Sequence, residues 1–426
     1  MKLVKMSLAA AVMLGASAFA IDNVKVSGDA KLYYGTDNKT QAAGVSDDLF
    51  DQANSYADTA LRFSLTADLT KNVSMGATAY AISTLGLENN LVANTWTGGH
   101  DTLVEDSAWM GELWLAGTMG KTTLKVGRME LDTPLAFSEK WSIVPNTFDA
   151  AVVINQDIPD TTIVAAWVGK SNGSDVANSA KSAATADRDG ILRDGAKFGT
   201  FMENGAYAVA AVNNSFKPLT AQAWYYNIGQ VADAYWLQAD IDCQLVKGVK
   251  IGAQYANIDP KENGVTLGSG AETSSAYAFK LAYQGIEGLN LSAAYSDADD
   301  KGAVQIQNVA AGLNATGQSK LYTEAWWNYG YVGSKNAEAF NLTAEYDMKD
   351  IAKIGVYYTN VDGAAYDHDN NGATANVDKD VSEVAVTATK SFGALETTLA
   401  YISTDADDQN SGKQYDSVQA YLTLKF

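Results

Sequence analysis

Four things are scarce in this chain of 426 residues, and each scarcity removes a class of explanation. One cysteine, Cys243, rules out an internal disulfide framework. Its parity within a predicted strand puts it on an apolar face, where it reads as a small hydrophobe. Five prolines leave long runs of backbone free to donate hydrogen bonds. The two histidines, His100 and His368, both fall in polar stretches, which counts against an enzyme built on a histidine base. Basic residues are in deficit, 30 Lys and Arg against 50 Asp and Glu, for a formal charge of -20. A nucleic-acid partner needs a basic footprint, so none is expected.

Long apolar runs are also missing after the first twenty residues. Lys2 and Lys5 precede an apolar stretch over 8–19 that ends in Ala18-Phe19-Ala20. This reads as a secretory signal peptide over 1–20, with the mature chain at 21–426. The stretch is shorter than the ~20 apolar residues of a spanning helix. Mean hydropathy of -0.14 resembles that of a soluble protein. A transmembrane barrel gives the same average, because lipid-facing and lumen-facing residues alternate and cancel.

What is abundant is glycine, at 36, tyrosine, at 22, and period-2 alternation. At the C-terminus Val418, Ala420, Leu422, Leu424 and Phe426 share one face, and Gln419, Tyr421, Thr423 and Lys425 the other. A chain ending on an apolar strand suits a barrel, whose last strand must pair with its first to remove both edges. Leu61, Phe63, Leu65, Ala67 and Leu69 alternate with Arg62, Ser64, Thr66 and Asp68; Tyr235, Leu237, Ala239 and Ile241 alternate with Trp236, Gln238, Asp240 and Asp242. Carboxylates on the minority face suit a watery lumen better than a protein core.

Alternation and turn chemistry predict strands near 24–35, 57–69, 73–84, 106–116, 122–128, 149–156, 161–169, 206–213, 218–227, 233–245, 249–258, 275–284, 289–296, 337–347, 352–360, 381–390, 395–403 and 415–426. A further short strand over 197–202 is an open alternative. Tight links alternate with mostly longer polar ones at 36–56, 85–105, 129–148, 170–205, 259–274, 297–336, 361–380 and 404–414. The expected fold is all-β: a transmembrane antiparallel barrel of about 18 strands in the outer membrane, long loops outside. Tyr33, Tyr34, Tyr80, Trp109, Trp224, Tyr226, Tyr255, Tyr295, Tyr358 and Tyr401 are candidates for its interfacial girdles.

A barrel of that size encloses an aqueous channel unless a segment folds inward. The candidate segment is 129–148, which carries two prolines, several large apolar side chains and the charges Glu130, Asp132, Glu139 and Lys140. So apolar a loop needs a surface to pack on, and the inner wall offers one. Around it, Lys125-Val126-Gly127-Arg128, Leu131-Asp132-Thr133-Pro134 and Pro145-Asn146-Thr147-Phe148 resemble the strand and constriction loop of epsilon-proteobacterial major outer-membrane porins, the Campylobacter type, akin to OprD-type porins. The resemblance covers the signal peptide, this segment and the terminal strand. It implies an eighteen-stranded barrel, a homotrimer, and a third exterior loop folded inward.

Carried onto this chain, the resemblance sets Glu130, Asp132 and Glu139, with Lys140, across from basic wall residues Arg62, Lys125 and Arg128. Opposed charges across a narrow wet gap orient and filter solutes. Leu124 and Val126 face lipid, which would turn Arg128 outward too. A bulge at Gly127 would return it to the lumen; without one, Arg128 is an anchor at the membrane edge.

Residues 367–378 match the spacing of a twelve-residue calcium loop, with Asp367, Asp369, Asn371 and Asp378 as oxygen ligands. The last ligand is Asp where Glu is usual, and Ala375 offers no side-chain oxygen, so the alternative is an ordinary acidic loop. The expected function is passive diffusion of small hydrophilic solutes and ions, mildly cation-preferring, with no required cofactor. Lipid and lipopolysaccharide are the expected neighbours. A substrate-selective channel, a surface adhesin and an outer-membrane hydrolase are the competing readings.

Overall fold

The computed structural model describes residues 21–40, 48–87, 91–92, 107–140, 143–172, 198–200, 205–261, 271–311, 317–365 and 378–426. The predicted signal peptide, both histidines and all of the candidate calcium loop except Asp378 lie outside these residues. Among the described residues the chain forms nineteen strands and four short 3-10 turns, and no helix is long and apolar enough to cross a membrane.

The strands are β1 (Asp22–Asp37), β2 (Ser55–Thr70), β3 (Val73–Ser83), β4 (Ser107–Met119), β5 (Thr122–Met129), β6 (Phe148–Asn155), β7 (Thr161–Ser171), β8 (Gly199–Thr200), β9 (Ala206–Asn213) and β10 (Leu219–Ile228). The second half holds β11 (Ala232–Asp242), β12 (Val249–Pro260), β13 (Ser274–Tyr283), β14 (Leu289–Ala298), β15 (Glu338–Met348), β16 (Ala352–Ala364), β17 (Lys379–Phe392), β18 (Leu395–Ala406) and β19 (Tyr415–Lys425). Two-residue β8 pairs with Lys170 and Ser171 of β7, on the same edge that β9 occupies from Val168 downward. Of the 197–202 alternative, Gly199 and Thr200 are strand, on the edge of β7 that β9 also pairs, and residues 197, 201 and 202 lie outside the described residues. Eighteen antiparallel staves result, each bonded to its sequence neighbours, and β1 bonds β19 to close the barrel.

Closure depends on the last residues. β1 and β19 run in register from Asp29↔Lys425 to Asp37↔Ser417. Phe426 continues the ladder: its N–H donates to the Gly28 carbonyl at 2.9 Å, and the Gly28 N–H donates to its carbonyl at 2.8 Å. Lipid offers no replacement for such bonds, so every pair made here removes an unsatisfied edge group.

Two faces follow from the pleat. Leu61, Leu115, Leu124, Leu237, Phe279, Leu281, Leu342 and Leu399 are exposed on the outer surface, whereas Trp236, Ala256, Ala278 and Ala385 are buried on the inner one. Several girdle candidates prove to be inward residues: Tyr33, Tyr80, Trp224 and Tyr226 are buried. Aromatics favour strands whichever way they point, and parity decides the face. Tyr255 and Tyr401 do face outward. Cys243 falls just past β11, in the turn where its N–H donates to the Val249 carbonyl, and its thiol is free.

A Cβ at Gly28 would lie 2.4 Å from the Arg62 carbonyl oxygen and 2.6 Å from the Phe426 ring. Gly28→Val is expected to cost about 1–3 kcal/mol of barrel stability through this overpacking. Heat or urea unfolding followed by gel mobility checks it; an unchanged transition would show that the C-terminal ring is not held against β1.

Candidate functional site

Among the described residues, two connections at the long-loop end carry most of the buried loop residues: L3, between β5 and β6 (130–147), and L7, between β14 and β15 (299–337). L3 begins as a tight hairpin. Asp132 bridges Phe137, the Thr133 N–H and hydroxyl both donate to the Ala136 carbonyl, and the Ser138 N–H donates to the Leu131 carbonyl. Leu135 and Phe137 are buried, and the Leu135 N–H donates to the hydroxyl of Tyr226, an inward residue of β10. On its return L3 places Ile143 and Val144 in one apolar cluster with Tyr33, Ala60, Tyr80 and Ile82 of β1, β2 and β3. The described part of L3 thus contacts inward side chains on two well-separated arcs of the wall.

L7 docks along the rest of that wall. Tyr322 meets β11 and β12: its hydroxyl donates to Asp240 at 2.6 Å and its N–H to the Gln254 side chain at 3.0 Å. Thr323 bonds Ser296 of β14, and the Glu324 carbonyl accepts from Asn341 of β15. Trp326 stacks on Tyr357 of β16, with ring centroids 5.0 Å apart. The Trp327 and Asn328 amides donate to Glu383 of β17, and the Asn328 side chain also reaches Thr404 of β18. Residues 322–328 therefore advance stave by stave around the lumen. Nothing in the sequence reading singled this loop out. Yet Tyr322, Trp326, Trp327, Tyr329 and Tyr331 give it large apolar side chains of the kind that marked L3.

The two loops are joined to each other. Asn308 of L7 receives the Phe137 N–H at 3.1 Å and donates to the Phe137 carbonyl at 2.9 Å, imitating one rung of a strand ladder. Glu139 accepts from the Asn308 side chain at 3.0 Å and from the Gln318 N–H at 3.1 Å, and the Val309 N–H donates to the Leu135 carbonyl. Between the loops and the wall lies a cavity of 870 Å³, lined among others by Asp132, Lys140, Lys280, Lys320, Tyr322, Trp326, Tyr357 and Tyr421.

The residues expected at a constriction are distributed as follows. Glu130 and Lys140 pair with each other at 2.7 Å within L3. Asp132 pairs with Lys320 of L7, and Glu139 serves as the joint just described. Arg62 stands on the inner wall but is paired with Asp29 at 2.5 Å. Lys125 also points inward, its ammonium 4.2 Å from the centre of the Trp114 ring. Arg128 is not in the lumen. The register from β4 through β5 to β6 passes Gly127 without a shift, opposing Arg128 to outward Leu113 and to Asp149. There Arg128 pairs with Asp149 at 2.8 Å and lies over the Phe198 ring, so the flip at Gly127 does not occur. No bulge interrupts the alternation, and Leu124, Val126 and Arg128 keep one face. Among the described residues no acidic, histidine or cysteine cluster is arranged to hold a metal.

Over residues 1–426 the chain matches the model of the family described as Campylobacter major outer membrane protein. The chain belongs to that family. It is an outer-membrane porin barrel, and solved structures share the architecture. It is similar to Pseudomonas aeruginosa OccK9 (OpdG), with TM-score 0.70 and 14% identity over 95% of this chain and 98% of that one. OccK8 (OprE) of the same organism gives 0.69 and 15%, over 96% and 99%. P. aeruginosa OpdK, solved with vanillate, gives 0.68 and 11%, over 95% and 99%. At such identity these likenesses carry the fold alone. No curated protein sequence matches.

One group ties the L7 seat to pH. Burial pushes the Glu324 carboxyl well above the ordinary carboxylate range; bonds from the Ser319 hydroxyl and N–H oppose the rise, and nearby Glu139 and Glu383 add to it. A carboxyl raised on folding contributes stability that is complete below its unfolded value and is lost as pH rises through the folded one. L7 should therefore loosen toward alkaline pH. Open-channel conductance is expected to climb with pH in the wild type and to stay level in Glu324→Gln; a slope surviving that substitution would assign the effect to another group.

Proposed function

We propose that this member of the family is a passive diffusion channel for small hydrophilic solutes and ions, narrowed where L3 and L7 meet. The observation that carries this reading is the 870 Å³ cavity, which lies between the joined loops and an inner wall of charged and polar side chains. Flux runs down the concentration gradient, so no cofactor or nucleotide enters, and no catalytic role is assigned to any residue. Cation preference is mild, because the net charge is negative while the lumen charges are largely paired: Asp29 with Arg62, Glu130 with Lys140, Asp132 with Lys320. The family resemblance supports a homotrimer and removal of 1–20 during secretion.

Outer-membrane lipid and lipopolysaccharide are the proposed neighbours of the outer rim, whose carboxylates would gather the divalent cations that bridge surface lipids. The 367–378 loop is proposed as an accessory calcium site only, Asp378 being its described and exposed member. A substrate-selective channel is the second reading. It is favoured by the aromatic and lysine lining of the cavity, and by the vanillate bound in the structure of OpdK.

Single-channel recording of the mature protein in planar bilayers tests the first reading, with Glu130→Gln and Asp132→Asn alongside. Stable steps are expected whose size and reversal potential shift in both variants; a silent bilayer with folded protein would overturn the channel. In the same recordings a calcium chelator is expected to leave the conductance unchanged, and a lost conductance would make calcium part of the pore.

A further inference from the structure

The carboxylates of L3 need a counter-charge if a field is to cross the gap, and the four basic residues nearest in sequence or expectation are committed elsewhere. Arg62 is held by Asp29, Lys125 sits on Trp114, Lys140 pairs within L3, and Arg128 is outside the barrel. The cation that faces Asp132 comes from 188 residues away, on L7. We propose that Lys320 is the residue that sets the ion selectivity of the constriction, acting together with Asp132, its contact partner on L3. This rests on the channel reading above.

Lys320 is placed rather than free. The Gln254 side-chain amide of β12 donates to the Lys320 carbonyl at 2.9 Å, and its oxygen accepts the Tyr322 N–H at 3.0 Å, so one side chain clamps the backbone on both sides of Leu321. The ammonium lies 4.8 Å from the centre of the Phe137 ring of L3, and both it and Asp132 line the cavity.

The alternative is an ordinary salt bridge that staples the loops together, and exposure argues against it. Asp132 is 82% exposed and Lys320 33%, so water competes for both charges. Pairs of this kind contribute about 0–1 kcal/mol and are screened by salt. The joint between the loops is made instead by Asn308, Glu139 and Leu135, in buried or half-buried bonds that need no help from Lys320. A weak, wet pair at the edge of a narrow passage is available to whatever ion passes it. Anions meet Lys320 and cations meet Asp132.

Reversal potentials of the full mature protein across a potassium chloride gradient separate the two roles. Lys320→Gln is expected to raise the potassium-to-chloride permeability ratio by roughly twofold, as removal of one unit charge about 10 Å from the ion path would. Asp132→Asn should lower it by a similar factor, and the double variant should return near the wild type. Lys320→Arg should leave the ratio in place. Lys349→Gln, at a short turn where Lys349 pairs with exposed Glu287, is the control and should not move it. The shifts should shrink in 1 M salt, where the screening length falls to about 3 Å. If Lys320→Gln moves the ratio no more than the control, or in the same direction as Asp132→Asn, Lys320 is only a structural partner. A silent wild type would overturn the channel reading itself, a separate outcome.

Discussion

Every stave of this wall must satisfy its backbone hydrogen bonds within the sheet, because lipid supplies none. That constraint dictates closure, and closure is made by pairing β19 with β1. The last residue bonds Gly28 in both directions, and β19 lies in continuous register on β1. A sheet left one stave short would expose two rows of unpaired groups. Closure at eighteen staves also produces a lumen too wide for wall side chains to fill. The interior must then be water, loop, or both.

The loops settle that question by the same accounting of polar groups. L7 carries Glu324, which is half-buried at the edge of the cavity, and the wall stave it crosses carries Glu383, which is buried. Each is tolerated because it is bonded, Glu324 by Ser319, Glu383 by two consecutive amides and the Asn328 side chain. Asn308 does the equivalent for L3 by satisfying both backbone groups of Phe137. Buried networks of this kind specify geometry when they are complete. The two loops are thereby held as one unit, and the small set of exposed charges on them is held in place with it.

Much of the wall was legible in the sequence, because a period of two is a local property. Predicted strand ends lie within four residues of the observed ones, and the faces read from Leu61 and Arg62, or from Leu237 and Trp236, are those of the structure. The C-terminal strand was readable for the same reason. What escaped were pairings between distant segments. Asp132 was expected to face Arg62, Lys125 or Arg128, and its partner is Lys320; no periodicity relates residues that meet only because two loops enter one lumen. Arg128 shows the converse. Strict alternation already placed it outward, and the inward role came from the family pattern, which the local register of β5 does not support.

The formal charge of -20 proves a poor guide to the inner wall, because several of its carboxylates are set against a basic side chain. On the outer surface near the long-loop end, carboxylates oppose one another directly across strands: Asp233↔Asp259, Asp297↔Glu338 and Glu338↔Asp362. Like charges in that position are destabilising. They persist because each sits where water reaches it and because neighbours donate to several of them: Tyr225 and Asn227 to Asp233, Thr273 to Asp259, Tyr277 to Asp297. The lumen is arranged otherwise, with Lys280 over Tyr322, Lys250 against Asp242, and Lys353 against Glu345. The rim thus sets carboxylates side by side, whereas the inner wall sets basic side chains against a carboxylate or a ring. On the channel reading proposed above, selectivity would rest on the few charges left accessible between the loops, since a field from the rim is screened within about 10 Å at moderate salt.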